Sequence, residues 1–114
     1  MPPPEDVVRL THLREAAEKA LRHSQGASRD SLEEDEVLRL ALTKLVEIVG
    51  EAAKQVSETT RLAHPSVPWS AAARMRDRLV HHYFDIDLDV LWATITTDLP
   101  ALLASLSAEN DLPD

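Results

Sequence analysis

The stretch Arg76-Asp77-Arg78-Leu79-Val80-His81-His82-Tyr83 holds the group types that can cut a phosphodiester without a metal. A histidine moves protons near neutral pH, both at a 2′-hydroxyl and at the departing oxygen. An arginine sets a fixed, bidentate cation against the charge that builds up on the phosphorane oxygens. By composition alone the same residues also fit a basic helix end carrying a partly exposed histidine pair. A metal centre is not expected. His81 and His82 are adjacent and project to different sides of a helix, and His64 lies beyond a proline turn. The chain has no cysteine, which excludes thiolate-ligated zinc, iron–sulfur sites and disulfide scaffolds. Its two glycines, Gly26 and Gly50, stand too far apart for a phosphate-binding loop.

Spacing constrains how these groups could meet. On one unbroken helix, five residues turn Arg76 and His81 about 140° apart, whereas Arg76 and Tyr83 share a face. Three arrangements close that gap: the reach of the arginine, a helix that ends before His81, or a residue from a second protomer. Arg74 and Arg78 are candidate phosphate contacts or solvated cations. Asp77 can pair with Arg76, orient it or favour the charged form of His81, and it can also repel RNA. His82 reads as a second proton carrier or a surface residue.

The elements that must position this stretch read as helices. Glycine is rare, prolines cluster between segments, and apolar residues recur at steps of three and four. A first helix is expected over Glu5–Ser24, with Val7, Leu10, Leu13, Ala17, Ala20 and Leu21 as its stripe. A long second helix is expected from an Asp30 or Ser31 cap to about Thr60, on Leu38, Ala41, Leu45, Ile48 or Val49, Ala52 and Val56. His64-Pro65-Ser66-Val67-Pro68 breaks the pattern. A third helix starts near Trp69 or Ser70 and carries the arginines. Asp85, Asp87 and Asp89 alternate with Ile86, Leu88 and Val90, which alone fits a strand; a turn leading into a helix N-terminus is the preferred reading. Leu88, Trp92, Ile95, Leu99, Leu102 and Leu106 then form a seam, interrupted by Pro100, which is expected to kink it. That seam faces either the bundle core or a second copy. Trp69 and Trp92 read as packing residues, and Gly50 as a point of close helix approach. Glu51 and Lys54 are candidates to line a cleft. The fold class is all-α: one antiparallel bundle of four to five helices over residues 1–114, with a polar tail over 107–114.

The chain carries 20 acidic and 12 basic residues, a net charge of −8. All the basic residues lie in residues 1–83, against 13 acidic ones; residues 84–114 hold seven acidic residues and no Lys or Arg. Such a balance gives no long-range attraction to nucleic acid, so any RNA must be held by local arginines. Uninterrupted apolar runs are short, so no membrane partner is expected. Met1–Asp6 is proline-rich and acidic rather than signal-like, which points to the cytoplasm.

Several segments together resemble the HepT-like toxins of the HEPN superfamily. They are Ile48-Val49-Gly50-Glu51-Ala52-Ala53-Lys54, Pro65-Ser66-Val67-Pro68-Trp69, Met75 to Tyr83, Asp85-Ile86-Asp87 and Asp98-Leu99-Pro100. The general Arg-x4–6-His motif fits several registers, but Arg-x4-His-x-Tyr fits one only: Arg76, His81 and Tyr83. The residue after the motif arginine is often Asn in that family; here it is Asp77.

The resemblance implies a homodimer whose motif copies meet in a cleft. It implies a metal-independent endoribonuclease toxin of a type VII toxin–antitoxin pair, with Arg76 and His81 catalytic; Asp77, Arg78 and His82 are supporting candidates from their residue types and position alone. It implies no cofactor in this chain. The implied partner is a nucleotidyltransferase antitoxin that uses ATP to adenylylate Tyr83. The alternative is a catalytically silent helical protein that serves only as that partner's modification substrate. The acidic 84–114 region is a candidate to meet a basic face of the antitoxin.

Overall fold

The computed structural model describes residues 2–82, 85–109 and 112, with His81 and His82 described by backbone alone. Helix α1 spans Pro4–His23. A proline in the first turn costs no hydrogen bond there, Glu5 and Asp6 suit the positive end of the helix dipole, and Arg22 and His23 suit the negative end. It stops at a turn in which Gly26 takes φ +76, a left-handed conformation suited to glycine. Leu10, Leu13, Ala16, Ala17 and Ala20 are buried along one face. Three alanines on that face let a second helix come close.

That partner is α3, Glu36–Gln55. The sequence predicts one long helix from residue 30 to about 60, but three are present: α2 Ser31–Glu34, α3, and α4 Glu58–Ala63. The breaks fall at residues whose side chains compete for the backbone. Asp35 is extended and accepts a hydrogen bond from the Leu38 N–H at 3.0 Å. Ser57 is extended and accepts from the Thr60 N–H at 3.3 Å. Each caps the helix that follows it. Asp30, the expected cap, stands before α2 in a helical conformation without a capping bond. Over the first half of α3 the core face is turned one position from the expected stripe: Leu42 and Val46 are buried, while Leu38, Ala41 and Leu45 are half-buried. Further along, Val49, Ala52 and Val56 are buried as expected.

After the proline segment come α5, Trp69–Ala73, and α6, Met75–Leu79. The chain then runs extended. β1, Val80–His82, pairs antiparallel with β2, Asp85–Ile86. The preferred turn reading of the aspartate stretch therefore gives way to a strand at two residues. Its other half holds: Asp87 caps α7, Leu88–Ala93, by accepting from the Val90 N–H at 3.1 Å.

The last helix is continuous over Leu88–Ser107, with a π turn at Thr94–Asp98 between α7 and α8, Leu99–Ser107. The Leu99 N–H bonds the Thr94 carbonyl, five residues back. Pro100 falls in the first turn of α8, so the distortion expected there takes the form of this wider turn. This helix is long and apolar enough by composition to cross a membrane. Here its Leu91, Ile95, Leu99, Leu102 and Leu106 are built into the same core as α1 and α3, while Leu88 and Trp92 are half-buried. A free polar tail is expected from Ser107. Instead, the Ser66 hydroxyl donates to Glu109 at 2.7 Å and Leu112 is buried.

Candidate active site

The motif arginines sit on a short helix held by its other face. Trp69, Ala72, Met75 and Leu79 are buried, and this spacing leaves Arg74, Arg76, Asp77 and Arg78 exposed. The Trp69 indole N–H donates to the His64 carbonyl at 2.9 Å, which ties the proline segment to the start of α5. His64 is itself buried, with Nδ1 at 3.5 Å from the Glu109 carboxylate.

Gly50 on α3 sets how close the motif comes. A β-carbon there would lie 3.4 Å from both the Ala73 carbonyl oxygen and Arg76 Cβ, and 3.5 Å from the Ala72 carbonyl oxygen. The expected close approach is therefore present, and it falls directly under Arg76.

The next residue on α3 faces the guanidinium. Glu51 Oε2 lies 4.0 Å from Arg76 Nη1. Lys44, Glu47, Ile48, Glu51 and Arg76 line an open depression of about 390 Å³. Of the two residues expected to line a cleft, Glu51 borders this depression, while Lys54 is exposed on α3 outside it. Lys44 and Glu47 were not singled out from the sequence. Their signal was the step of three and four that places them with Ile48 and Glu51 on one helix face.

Arg78 Nη1 lies 3.8 Å from Asp98 Oδ2, so the π turn of the last helix reaches the motif. Asp77 is exposed, and its carboxylate pairs with no described residue. The contact to Arg76 comes from Glu51 instead. Arg74 is exposed at the junction of α5 and α6.

Of the three ways to close the angular gap between Arg76 and His81, the backbone takes one. Helix α6 ends at Leu79, and Val80 adopts φ −107, ψ 117. His81 lies in β1, beyond the helix, so the angle calculated for an unbroken helix does not apply to it. His82 pairs with Asp85 across the ladder. Tyr83 lies outside the described residues. Among the described residues, no three His, Asp or Glu side chains converge as metal ligands.

Three aspartates of the acidic 84–114 region, the candidate surface for a partner, have internal roles. Asp87 caps α7, Asp89 accepts from Arg29 at 2.7 Å, and Asp98 faces Arg78.

The HepT-like ribonuclease family model matches residues 13–108. The chain is 43% identical over 68 residues to a Thermococcus cleftensis protein named "Probable ribonuclease HepT", covering 60% of this chain and 62% of that one. It is 36% identical over 93 residues to an inferred RNase of Caldanaerobacter subterraneus subsp. tengcongensis, covering 82% and 83%. An inferred RNase of Methanocaldococcus jannaschii is 35% identical over 71 residues, 62% of this chain and 59% of that protein. The matched part thus spans less than two thirds of two of these relatives. No solved structure matches the chain. The family match runs from within α1 to the end of the last helix and includes the motif, so this chain belongs to the HepT-like ribonuclease family.

Proposed function

We propose that this protein is a metal-independent endoribonuclease toxin, and that Arg76 and His81 carry out the cleavage. In this reading His81 takes the proton from a ribose 2′-hydroxyl. The oxygen attacks the adjacent phosphorus, the 5′-oxygen leaves and is protonated, and a 2′,3′-cyclic phosphate and a 5′-hydroxyl result. Arg76 stabilises the extra negative charge of the phosphorane. The observation that supports this most is the end of α6 at Leu79, which frees the motif histidine from the helical angle that would turn it away from Arg76. Arg78 and His82 stand close enough in sequence to assist. A homodimer would bring two such motifs to one cleft.

In the same reading, a nucleotidyltransferase antitoxin transfers AMP from ATP to the Tyr83 hydroxyl and releases pyrophosphate. The added phosphate repels an RNA phosphate, and the nucleotide fills the space beside His81. The protein acts in the cytoplasm. A second reading, a silent modification substrate, draws on the acidic setting of the motif: Glu51 beside Arg76, the exposed Asp77 and the net charge of −8.

Growth arrest on expression in a cell separates the two readings. The toxin reading expects arrest by the wild type, none by His81→Ala, and relief by the partner together with one or more AMP masses on the protein that Tyr83→Phe does not acquire. Arrest that persists in His81→Ala would overturn the assignment of the chemistry.

A further inference from the structure

An arginine side chain has several rotatable bonds, so a fixed backbone does not fix its guanidinium. Arg76 is 55% exposed, and Asp77, its neighbour in sequence, does not hold it. The contact that does exist comes from α3. Gly50 sets the height of Arg76 above that helix, and Glu51, one residue later, faces its guanidinium at 4.0 Å. One helix thus supplies both the seat of the arginine and the carboxylate that aims it.

We propose that Glu51 is a positioning residue for phosphodiester cleavage: its carboxylate draws the Arg76 guanidinium toward the depression lined by Lys44, Glu47 and Ile48, where a phosphate would bind. The proposal rests on the ribonuclease reading above. A guanidinium has five donors, so one Nη group can face Glu51 while the others remain available to phosphate oxygens. The pair is exposed, and exposed ion pairs are weak, so it orients the arginine without trapping it. No proton or bond changes hands at Glu51.

The arrangement has an opposing effect that makes it testable. A carboxylate beside the phosphate site repels RNA, so Glu51 weakens binding while it improves turnover. A residue that was only part of a solvated face would affect binding alone.

The test is steady-state RNA cleavage by the unmodified protein, with kcat and KM measured for the wild type, Glu51→Gln, Glu51→Asp and Arg76→Lys. Glu51 is exposed, so its variants are expected to keep the fold, checked by thermal melting. The expected result for Glu51→Gln is a loss in kcat of roughly ten- to a hundredfold with KM unchanged or lower. Glu51→Asp, which keeps the charge on a shorter arm, restores part of kcat. In an Arg76→Lys background, where no planar fork remains to be aimed, Glu51→Gln has a much smaller effect. A wild-type kcat in Glu51→Gln, or the same loss in the Arg76→Lys background, would overturn the proposal and leave the ribonuclease reading standing. A wild type that cleaves no RNA, or an Arg76→Ala variant that cleaves normally, would overturn that reading and this proposal with it.

Discussion

Asp6 should contribute more stability than any other acidic side chain described. It is 3% exposed, and its two oxygens take three hydrogen bonds: from the Ser57 N–H at 2.9 Å, from the Ser57 hydroxyl at 2.6 Å, and from the Thr60 hydroxyl. These bonds fasten the first turn of α1 to the start of α4. Burial pushes its carboxyl pKa up, but the hydrogen bonds from Ser57 and Thr60 outweigh burial, and the pKa lies below the ordinary value of 3.8. A hydrogen bond to a charged group contributes about 1.5–3 kcal/mol, and three on one carboxylate are not additive. The Ser57 hydroxyl also accepts from the Thr60 N–H, a bond that does not involve Asp6. Asp6→Ala should therefore cost about 3 kcal/mol, or roughly 12 °C in Tm for a chain of this length. Asp6→Asn keeps the shape but loses the charge and one of the two acceptor oxygens, and should cost about half as much. The sign of the pH dependence follows from the lowered pKa. A carboxyl more acidic in the folded state stabilises above its unfolded value, and that stabilisation disappears as pH falls through the folded one. Urea unfolding of the wild type and both variants should show the gap in full at neutral pH, shrinking once the pH drops below 3.8. Equal stabilities at neutral pH, or a gap that widens on acidification, would refute the reasoning.

Other perturbations test the packing around the motif. Gly50→Ala adds a β-carbon at tight but tolerable distances and gains up to about 1 kcal/mol of helix propensity, so its unfolding midpoint should stay near that of the wild type. Gly50→Val carries atoms further into the Ala73 carbonyl and Arg76; it should cost about 1–3 kcal/mol by chemical denaturation. Trp69→Phe removes the indole N–H that the His64 carbonyl accepts, for a loss of about 1 kcal/mol in the same assay. Leu102→Ala, at a fully buried position, should cost about 2–5 kcal/mol, while Leu40→Ala, at a position 60% exposed, should stay within about 0.5 kcal/mol.

Much of the fold was legible because helices announce themselves locally. The stripe of α1, the seam of the last helix and the role of Gly50 all follow from spacing and side-chain size. The division of the second helix was not legible in the same way. Asp35 and Ser57 fall within a run of three- and four-residue apolar steps, and whether such a side chain caps a new helix or points to solvent depends on what the flanking turns pack against. The one-position turn in the first half of α3 has a similar cause. That helix is apolar over a wide arc, and the alanine face of α1 decides which part of the arc is covered. The strand at Asp85–Ile86 depends on a pairing with Val80–His82 that no local pattern encodes. At the site, the motif itself could be read from residue types and order. The contacts from Glu51 to Arg76 and from Asp98 to Arg78 join residues 25 and 20 positions apart, and only the packing of α3 and the π turn brings them together. Asp6 shows the same limit. No local pattern distinguishes it from the other acidic residues of its helix, and its larger role is the long-range clamp to Ser57.

The central claim is tested most directly by RNA cleavage in EDTA with protein expressed without any partner, after intact mass has shown Tyr83 to be unmodified. Wild type, Arg76→Ala and His81→Ala are compared on several RNAs. The account predicts cleavage by the wild type and losses of orders of magnitude in both variants. An unmodified wild type that cuts none of the RNAs, or variants that cut as well as it does, would contradict it.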